Sequence, residues 1–184
     1  EYQYVPVHLV RDGGEQFSEI HRGRNPLAQV PVLAWDGATM SQSIAIMELL
    51  EERYPQPPIL PGDAWNRATI RQYSEVVNAG TQPLQNLSTL RRVEAMDQDK
   101  GEWGRHFIER GLTALEALAA QTAQTFLVGD TPTMADACLV PQIYNARRFG
   151  LDVQQWPTLA RVDAHCASIP AFIRAHADNQ PDAT

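Results

Sequence analysis

The basic side chains of this chain are almost all arginine: among its 15 basic residues, Lys100 is the one lysine. A guanidinium group can bind a planar carboxylate through two parallel N–H bonds, whereas an ammonium group acts as a point charge. Two adjacent pairs, Arg91–Arg92 and Arg147–Arg148, are therefore candidates for holding an anionic substrate. The alternative is that each pair lies on the solvated surface and forms ordinary ion pairs.

Two further patterns could bind a ligand through the backbone. A cis peptide bond between Val30 and Pro31 would turn the N–H and C=O groups of Val30 outward, where they could pair with an extended peptide. A trans bond would only mark the first residue of a strand. Gln42-Ser43 opens a predicted helix, whose free N–H groups and dipole favour an anion such as a carboxylate. An ordinary helix cap is the alternative there.

Other residue types that carry chemistry have a structural explanation. Thr133 and Asp136 have the spacing of a capping box, which predicts a carboxylate that accepts backbone N–H groups rather than a catalytic acid. Cys138 and Cys166 lie among apolar residues at helical spacing, without a CxxC motif. This predicts buried thiols in a reducing compartment. The five histidines have no metal-ligand spacing, so we assign them no catalytic role and expect no metal.

Side-chain amides surround a proline in Gln82-Pro83-Leu84-Gln85-Asn86. Within a helix, Pro83 would free backbone carbonyls and produce a kink. The amides and the freed carbonyls could then line a cleft. A kinked helix without any ligand is the alternative.

The elements that must position these residues fall into two groups, of which the first ends near residue 60. Tyr2 to Val10 alternates, and Pro6 predicts an edge or bulged strand there. The stretches 31–35 and 38–40 flank Asp36-Gly37, a pair suited to a tight hairpin turn. A helix should follow from Ser41 or Gln42 to about Arg53.

The second group is predicted to be an all-helical bundle. Four prolines within 55–62 predict a stiff linker. Beyond it, apolar spacing predicts a long helix across 70–90 that is kinked at Pro83, a helix across 103–118, and another that begins at Pro157. We therefore expect a first domain over 1–54, a linker over 55–62 and a helical domain over 63–184.

The composition restricts the classes of function. A chain of 184 residues with 43% hydrophobic content can bury a substantial core. It has no apolar run of about 18 residues and no signal-peptide pattern, so we expect a soluble protein that neither enters a membrane nor is secreted. A net charge of −7 argues against a nucleic-acid binder.

Taken in order, these motifs resemble the zeta class of glutathione transferases nearly from end to end. The similar segments are Asp12-Gly13-Gly14-Glu15-Gln16-Phe17, Asn25-Pro26, Gln29-Val30-Pro31, Asp36-Gly37, Gln42-Ser43-Ile44-Ala45-Ile46, Gln82 to Ser88, Val128-Gly129-Asp130, Met134-Ala135-Asp136 and Asn145-Ala146-Arg147-Arg148-Phe149. The stretch from Gln82 to Asn86 is the most specific to this class.

The resemblance implies a fold, a cofactor and a set of binding residues. The fold would be α/β plus all-α, with a thioredoxin-like first domain and an α-helical second domain. The protein would be a cytoplasmic homodimer that uses glutathione, and the Val30–Pro31 bond would be cis. Arg148 would bind a carboxylate of a small dicarboxylate substrate. The residues that would bind glutathione are Gln16, Val30, Pro31, Gln42, Ser43, Gln82 and Asn86.

Within the class, the chain is most similar to enzymes of tyrosine and phenylalanine breakdown that isomerise maleylacetoacetate to fumarylacetoacetate. The resemblance implies that the glutathione thiolate adds to the cis double bond, that the resulting single bond rotates, and that the thiolate leaves. Maleylpyruvate isomerisation and general glutathione conjugation or dehalogenation are the rival activities. A non-catalytic transferase-like module for protein contact is a rival from another class.

The sequence departs from the family at its start. The family opens with a strand and helix that carry a serine-rich motif, which steadies the glutathione thiolate. No residue here matches that motif, so we name no catalytic serine. We expect the first domain to be incomplete, with its first strand and helix missing, because a thioredoxin-like sheet holds that strand in its interior.

Overall fold

The computed structural model describes residues 2–183 and divides the chain into two compact units. The first unit comprises Glu1–Pro55 and Pro181–Thr184, and the second comprises Gln56–Gln180. Among the described residues, every helix is too short or too polar to cross a lipid bilayer. The two units divide after Pro55. The domain limits expected from the sequence, with a separate linker over 55–62, stay a prediction.

The first unit contains a helix, a β-hairpin and a second helix. Helix α1 (Glu19–Arg24) begins after Ser18, whose hydroxyl accepts a hydrogen bond from the N–H of His21. The remaining elements are strands β1 (Val32–Trp35) and β2 (Ala38–Ser41) and helix α2 (Ser43–Arg53).

The predicted hairpin is confirmed. Strands β1 and β2 pair antiparallel in a register that sets Trp35 opposite Ala38. Between them Asp36 and Gly37 have φ angles of 49° and 79°, the left-handed conformations that a tight two-residue turn requires. The predicted helix after the hairpin is confirmed as α2, which ends at Arg53.

The predicted strand from Tyr2 to Val10 does not form. A strand needs a neighbour for its backbone groups, and within residues 2–183 no strand pairs with this segment. Its backbone bonds instead to the turn that follows: the His8 carbonyl accepts from the Glu15 N–H, and the Leu9 carbonyl accepts from the Gln16 side chain. Alternation of side chains was therefore insufficient evidence for a strand.

The second unit is built from helices, as predicted, with one isolated β-bridge between Ala123 and Gly129. Ile70, Ile108, Leu115, Leu139 and Leu159 are fully buried and mark its core. The helices are α3 (Ala64–Asn78), α4 (Leu87–Glu94), α5 (Lys100–Ala119), α6 (Met134–Arg148), α7 (Pro157–Cys166) and α8 (Pro170–Ala175).

The long kinked helix expected across 70–90 is instead two helices. Helix α3 ends at Asn78, a short 3₁₀ turn covers Gln82–Gln85, and α4 begins after Asn86. The buried Thr81 hydroxyl donates to the Val76 carbonyl at 2.8 Å and satisfies the end of α3. The proline lies in the 3₁₀ turn, where its missing N–H costs no helical bond.

Candidate functional site

The loop that leads into β1 is held by two buried side chains. The carbonyl oxygen of Gln29 accepts from the Nε2–H of His21 at 2.9 Å and from the Nδ2–H of Asn25 at 2.8 Å. The exposed fractions of these two side chains are 6% and 2%. We did not predict a role for His21 from the sequence, because its contact links helix α1 to a residue eight positions further along the chain.

Val30 follows this anchor and is 44% exposed. Its bond to Pro31 is cis, which confirms the expectation from the resemblance. Among the described residues, its backbone N–H and C=O have no hydrogen-bond partner. An extended ligand could therefore pair with Val30 as a neighbouring strand would.

The N-terminus of α2 lies beside this segment. The hairpin register pairs Val32 with Ser41, so Pro31 and Gln42 flank the same end of the hairpin. Gln42 is exposed and adopts a φ of 77°, which turns the chain from β2 into the helix. No side chain caps the first turn, and the first turn contains no acidic residue. Its free N–H groups suit an anion.

Gln16 lies in a 3₁₀ turn of the same unit and is buried. Its Nε2–H donates to the Leu9 carbonyl at 3.2 Å. Its Oε1 atom is buried and has no hydrogen-bond partner among the described residues. The glutathione-binding role implied for this residue stays a prediction.

The amides of the second unit are separated by the break between α3 and α4. Gln82 is exposed in the 3₁₀ turn, and the Oδ1 atom of Asn86 accepts from the N–H of Leu87 at the start of α4. Gln85, the third amide of this stretch, is buried and donates to the Oε1 atom of Gln142 on α6. Ligand binding by Gln82 and Asn86 stays a prediction.

The two arginines at the end of α6 have different surroundings. Arg147 donates to a carboxylate oxygen of Asp163 on α7 at 2.7 Å, and the Asp163 side chain is almost fully buried. Arg148 is exposed and has no carboxylate partner within the described residues. Its guanidinium lies 6.0 Å from the centre of the Tyr144 ring. Arg148 is therefore available to an anionic ligand, whereas Arg147 is occupied.

The other candidate arginine pair lies on α4. Arg91 and Arg92 are both exposed, and neither forms an ion pair among residues 2–183. Their exposure is consistent with either interpretation, a solvated surface or a ligand site.

Asp136 has the structural role predicted for it. Its carboxylate accepts from the backbone N–H groups of Leu127 and Thr133 and from the Thr133 hydroxyl, at 2.7 to 2.9 Å. The capping box at the start of α6 is formed. Burial raises the pKa of Asp136 above its ordinary value, and the three donors oppose that rise. Both carboxylate oxygens accept hydrogen bonds from within the fold, which supports the structural role.

The two thiols are free, buried and unreactive. Desolvation raises the pKa of Cys138 to about 11 and that of Cys166 to about 12. Neither residue supplies a thiolate near neutral pH. Within residues 2–183, no group of His, Cys, Asp and Glu side chains has the arrangement of a metal site.

Comparisons with known proteins match both parts of the chain. Residues 1–58 match the family model of the glutathione S-transferase N-terminal domain, and residues 107–168 match that of the C-terminal domain. The chain is 45% identical over 181 residues to a probable maleylacetoacetate isomerase 2 of Drosophila melanogaster, covering 98% of this chain and 79% of the relative.

Two solved structures extend these similarities to the fold. One is maleylacetoacetate isomerase from Anaeromyxobacter dehalogenans with bound GSH in the active site: TM-score 0.90, 51% identity, 100% of this chain and 87% of that one. The other is a maleyl pyruvate isomerase described as a bacterial zeta-class glutathione S-transferase: TM-score 0.95, 36% identity, 100% of this chain and 89% of that one. The predicted fold class, thioredoxin-like and then α-helical, is confirmed. The chain therefore belongs to the zeta class of the glutathione S-transferase family, together with the maleylacetoacetate isomerases.

Proposed function

We propose that this protein is an enzyme that uses glutathione to isomerise maleylacetoacetate to fumarylacetoacetate. Its membership of the zeta class supports this activity, as do the names of the relatives from D. melanogaster and A. dehalogenans. The observation that carries the proposal is Arg148, an unpaired cation at the end of α6 that matches the need to hold a dicarboxylate.

The first unit has groups that fit glutathione. The unpartnered N–H and C=O of Val30 would pair with the peptide backbone of glutathione, and the first turn of α2 with Ser43 would hold its γ-glutamyl carboxylate. The unpartnered Oε1 of Gln16 would accept a hydrogen bond from the amino group of glutathione. Bound glutathione supplies the thiol that adds to the double bond and leaves again.

The second unit supplies the group that would hold the other substrate. The guanidinium fork of Arg148 would bind one carboxylate of the dicarboxylate and orient it. Such a cation also stabilises negative charge that develops on the substrate during the reaction. Gln82 and Asn86 are proposed to bind glutathione, as the resemblance to the class implies.

A homodimer and a cytoplasmic location complete the proposal. Trp65 on α3 is 80% exposed, and a large apolar side chain in that position favours an interface with a second copy. Two buried free cysteines favour a reducing compartment. The mass measured by light scattering during gel filtration would test the dimer.

Maleylpyruvate is the second candidate substrate, favoured by the similarity to the zeta-class maleyl pyruvate isomerase. Both substrates carry two carboxylates, so Arg148 alone does not distinguish them. Comparing kcat/KM for the two substrates in the presence of glutathione tests the choice. We expect the higher value for maleylacetoacetate. A higher value for maleylpyruvate would reassign the substrate within the same reaction class.

A further inference from the structure

The carbonyl group of Gln29 is held by two side chains from the preceding segment. Two side-chain donors, His21 Nε2–H and Asn25 Nδ2–H, bond to the same oxygen, and both side chains are buried. A carbonyl oxygen accepts only, so the His21 ring nitrogen must be the donor. Two donors occupy both lone pairs of the oxygen and fix the direction of the C=O bond.

Asn25 also holds the loop that carries this carbonyl. Its backbone N–H donates to the His21 carbonyl, and its own carbonyl accepts from Ala28 N–H at 2.9 Å. Its Oδ1 atom accepts from Leu27 N–H at 3.1 Å. Ala28 adopts a φ of 53°, a conformation that a residue with a side chain keeps only where its surroundings enforce it. The loop is thus wound around one buried amide.

The anchored carbonyl shares a peptide plane with the N–H of Val30. Because that plane is rigid and the Gln29–Val30 bond is trans, the N–H points away from the carbonyl oxygen. Fixing the oxygen on the buried side therefore fixes the N–H on the exposed side. Two hydrogen bonds to the oxygen also polarise the amide and make its N–H a stronger donor.

We propose that His21 and Asn25 are positioning residues for glutathione, acting through the Gln29 carbonyl on the N–H of Val30. This inference rests on the proposed function, in which Val30 pairs with the glutathione backbone. Both side chains are buried and bonded to the loop, so neither is placed to touch the ligand. Their effect on binding would come from the direction and polarity of one amide.

Three variants separate this role from ordinary packing. His21→Leu removes one donor, and His21→Gln retains an N–H donor at the same place. Asn25→Asp keeps the acceptor for Leu27 and removes the donor to Gln29. We expect His21→Leu and Asn25→Asp to raise the glutathione Kd about tenfold, and His21→Gln to raise it less than about threefold. The kcat at saturating glutathione should change by less than about twofold in all three.

Isothermal titration with glutathione measures the Kd, and the NMR shift of the Val30 amide proton in the free protein reports the polarity of that amide. His106→Leu, an exposed position on α5, is the control and should leave both unchanged. Thermal melting shows which variants fold; if His21→Leu does not, Asn25→Asp and His21→Gln still provide the comparison.

Three results would overturn the inference. The first is that His21→Leu and Asn25→Asp both fold and leave the glutathione Kd and the NMR shift of the Val30 amide proton unchanged. The second is that the Kd for His21→Gln is as high as that for His21→Leu. The third is a wild-type protein that does not bind glutathione, which would overturn the proposed function at the same time. If the wild type binds glutathione and the variants bind it with the same Kd, only the positioning role is overturned.

Discussion

At the scale of single residues, the contrast between Arg147 and Arg148 decides which guanidinium can bind a substrate. Neighbouring positions on a helix point about 100° apart, so two adjacent arginines cannot both face one site. Arg147 is engaged by the buried carboxylate of Asp163, and Arg148 has no such partner among the described residues. From residue type alone both arginines were candidates for binding an anionic substrate. The contact of Arg147 with Asp163 on α7 distinguishes them.

We predict that Arg148→Met lowers kcat/KM for the dicarboxylate, because one bidentate contact is lost. The drop should correspond to a loss of about 2–4 kcal/mol of transition-state stabilisation. The glutathione Kd should stay nearly constant. Steady-state kinetics with each substrate varied in turn would measure both effects.

The matched variant Arg147→Met should instead lower the free energy of unfolding by roughly 1–2 kcal/mol, because it leaves a buried carboxylate unpaired. Urea unfolding would measure this loss. Isomerisation that disappears in Arg147→Met and survives in Arg148→Met would reverse the assignment.

We predict that Ser43→Ala weakens glutathione binding by about 1–2 kcal/mol, since one charge-assisted hydrogen bond to the γ-glutamyl carboxylate is lost. Ser88→Ala, an exposed serine in the first turn of α4, serves as control. An unchanged glutathione Kd in Ser43→Ala would show that the γ-glutamyl carboxylate does not bind at the start of α2.

We predict that Asp136→Ala lowers the free energy of unfolding by at least about 2 kcal/mol, because two buried backbone N–H groups lose their acceptor. Turnover of the remaining folded protein should be unaffected. A variant that melts normally and has lost its activity would make Asp136 catalytic and contradict the capping role.

The pKa of Asp136 also gives a sign for its pH dependence. Because burial raises this pKa in the folded state, the protonated form is favoured there. The stabilisation from Asp136 is therefore fully present below its ordinary pKa and declines as pH rises through the raised value. The difference in unfolding free energy between the wild type and Asp136→Asn should fall over that interval. A difference that grows with pH would contradict the assignment.

At the scale of elements, α5 contacts its neighbours through residues that its apolar spacing in the sequence does not predict. The two carboxylate oxygens of Glu116 accept from the backbone N–H groups of Thr158 and Leu159, each at 3.0 Å. These N–H groups belong to the first turn of α7, where no helical partner exists. Gly104, on the same helix, lies directly against the ring of Phe149.

We predict that Glu116→Ala lowers the free energy of unfolding by roughly 1–3 kcal/mol, because the first turn of α7 loses its acceptor. Glu109→Ala, an exposed glutamate on α5, should change it by less than about 0.5 kcal/mol. Chemical denaturation of both variants would make the comparison. Equal losses would show that the contact with α7 adds nothing.

The elements that the sequence predicts well are those with local causes. Asp36-Gly37 specifies its hairpin through backbone conformation, and the capping box specifies the start of α6. The predicted strand at 2–10 and the continuous helix through Pro83 were wrong because their outcomes depend on partners. The first needs a neighbouring strand, and the second ends where Thr81 bonds back to Val76.

The candidate site shows the same division. Val30–Pro31, Gln42-Ser43 and Arg148 were selected from residue type, spacing and resemblance. His21 was not, because its importance lies in a hydrogen bond across a loop. The signal that could have pointed to it is Asn25-Pro26, which shows that the chain turns between α1 and the hairpin.

At the scale of the whole molecule, each of the two units has a separate proposed task. The first presents backbone groups that fit a peptide-like cofactor, and the second presents the exposed guanidinium of Arg148, which is proposed to bind a dicarboxylate. The chain's own thiols are buried with raised pKa values. Neither supplies a thiolate near neutral pH, so we assign the reacting thiol to bound glutathione.

The most direct test is the rate at which the purified protein converts maleylacetoacetate to fumarylacetoacetate with glutathione and with S-methylglutathione, which has the same backbone but no free thiol. We expect turnover with glutathione and none above background with S-methylglutathione, although both should bind. Equal rates with the two compounds, or turnover without either, would contradict this expectation.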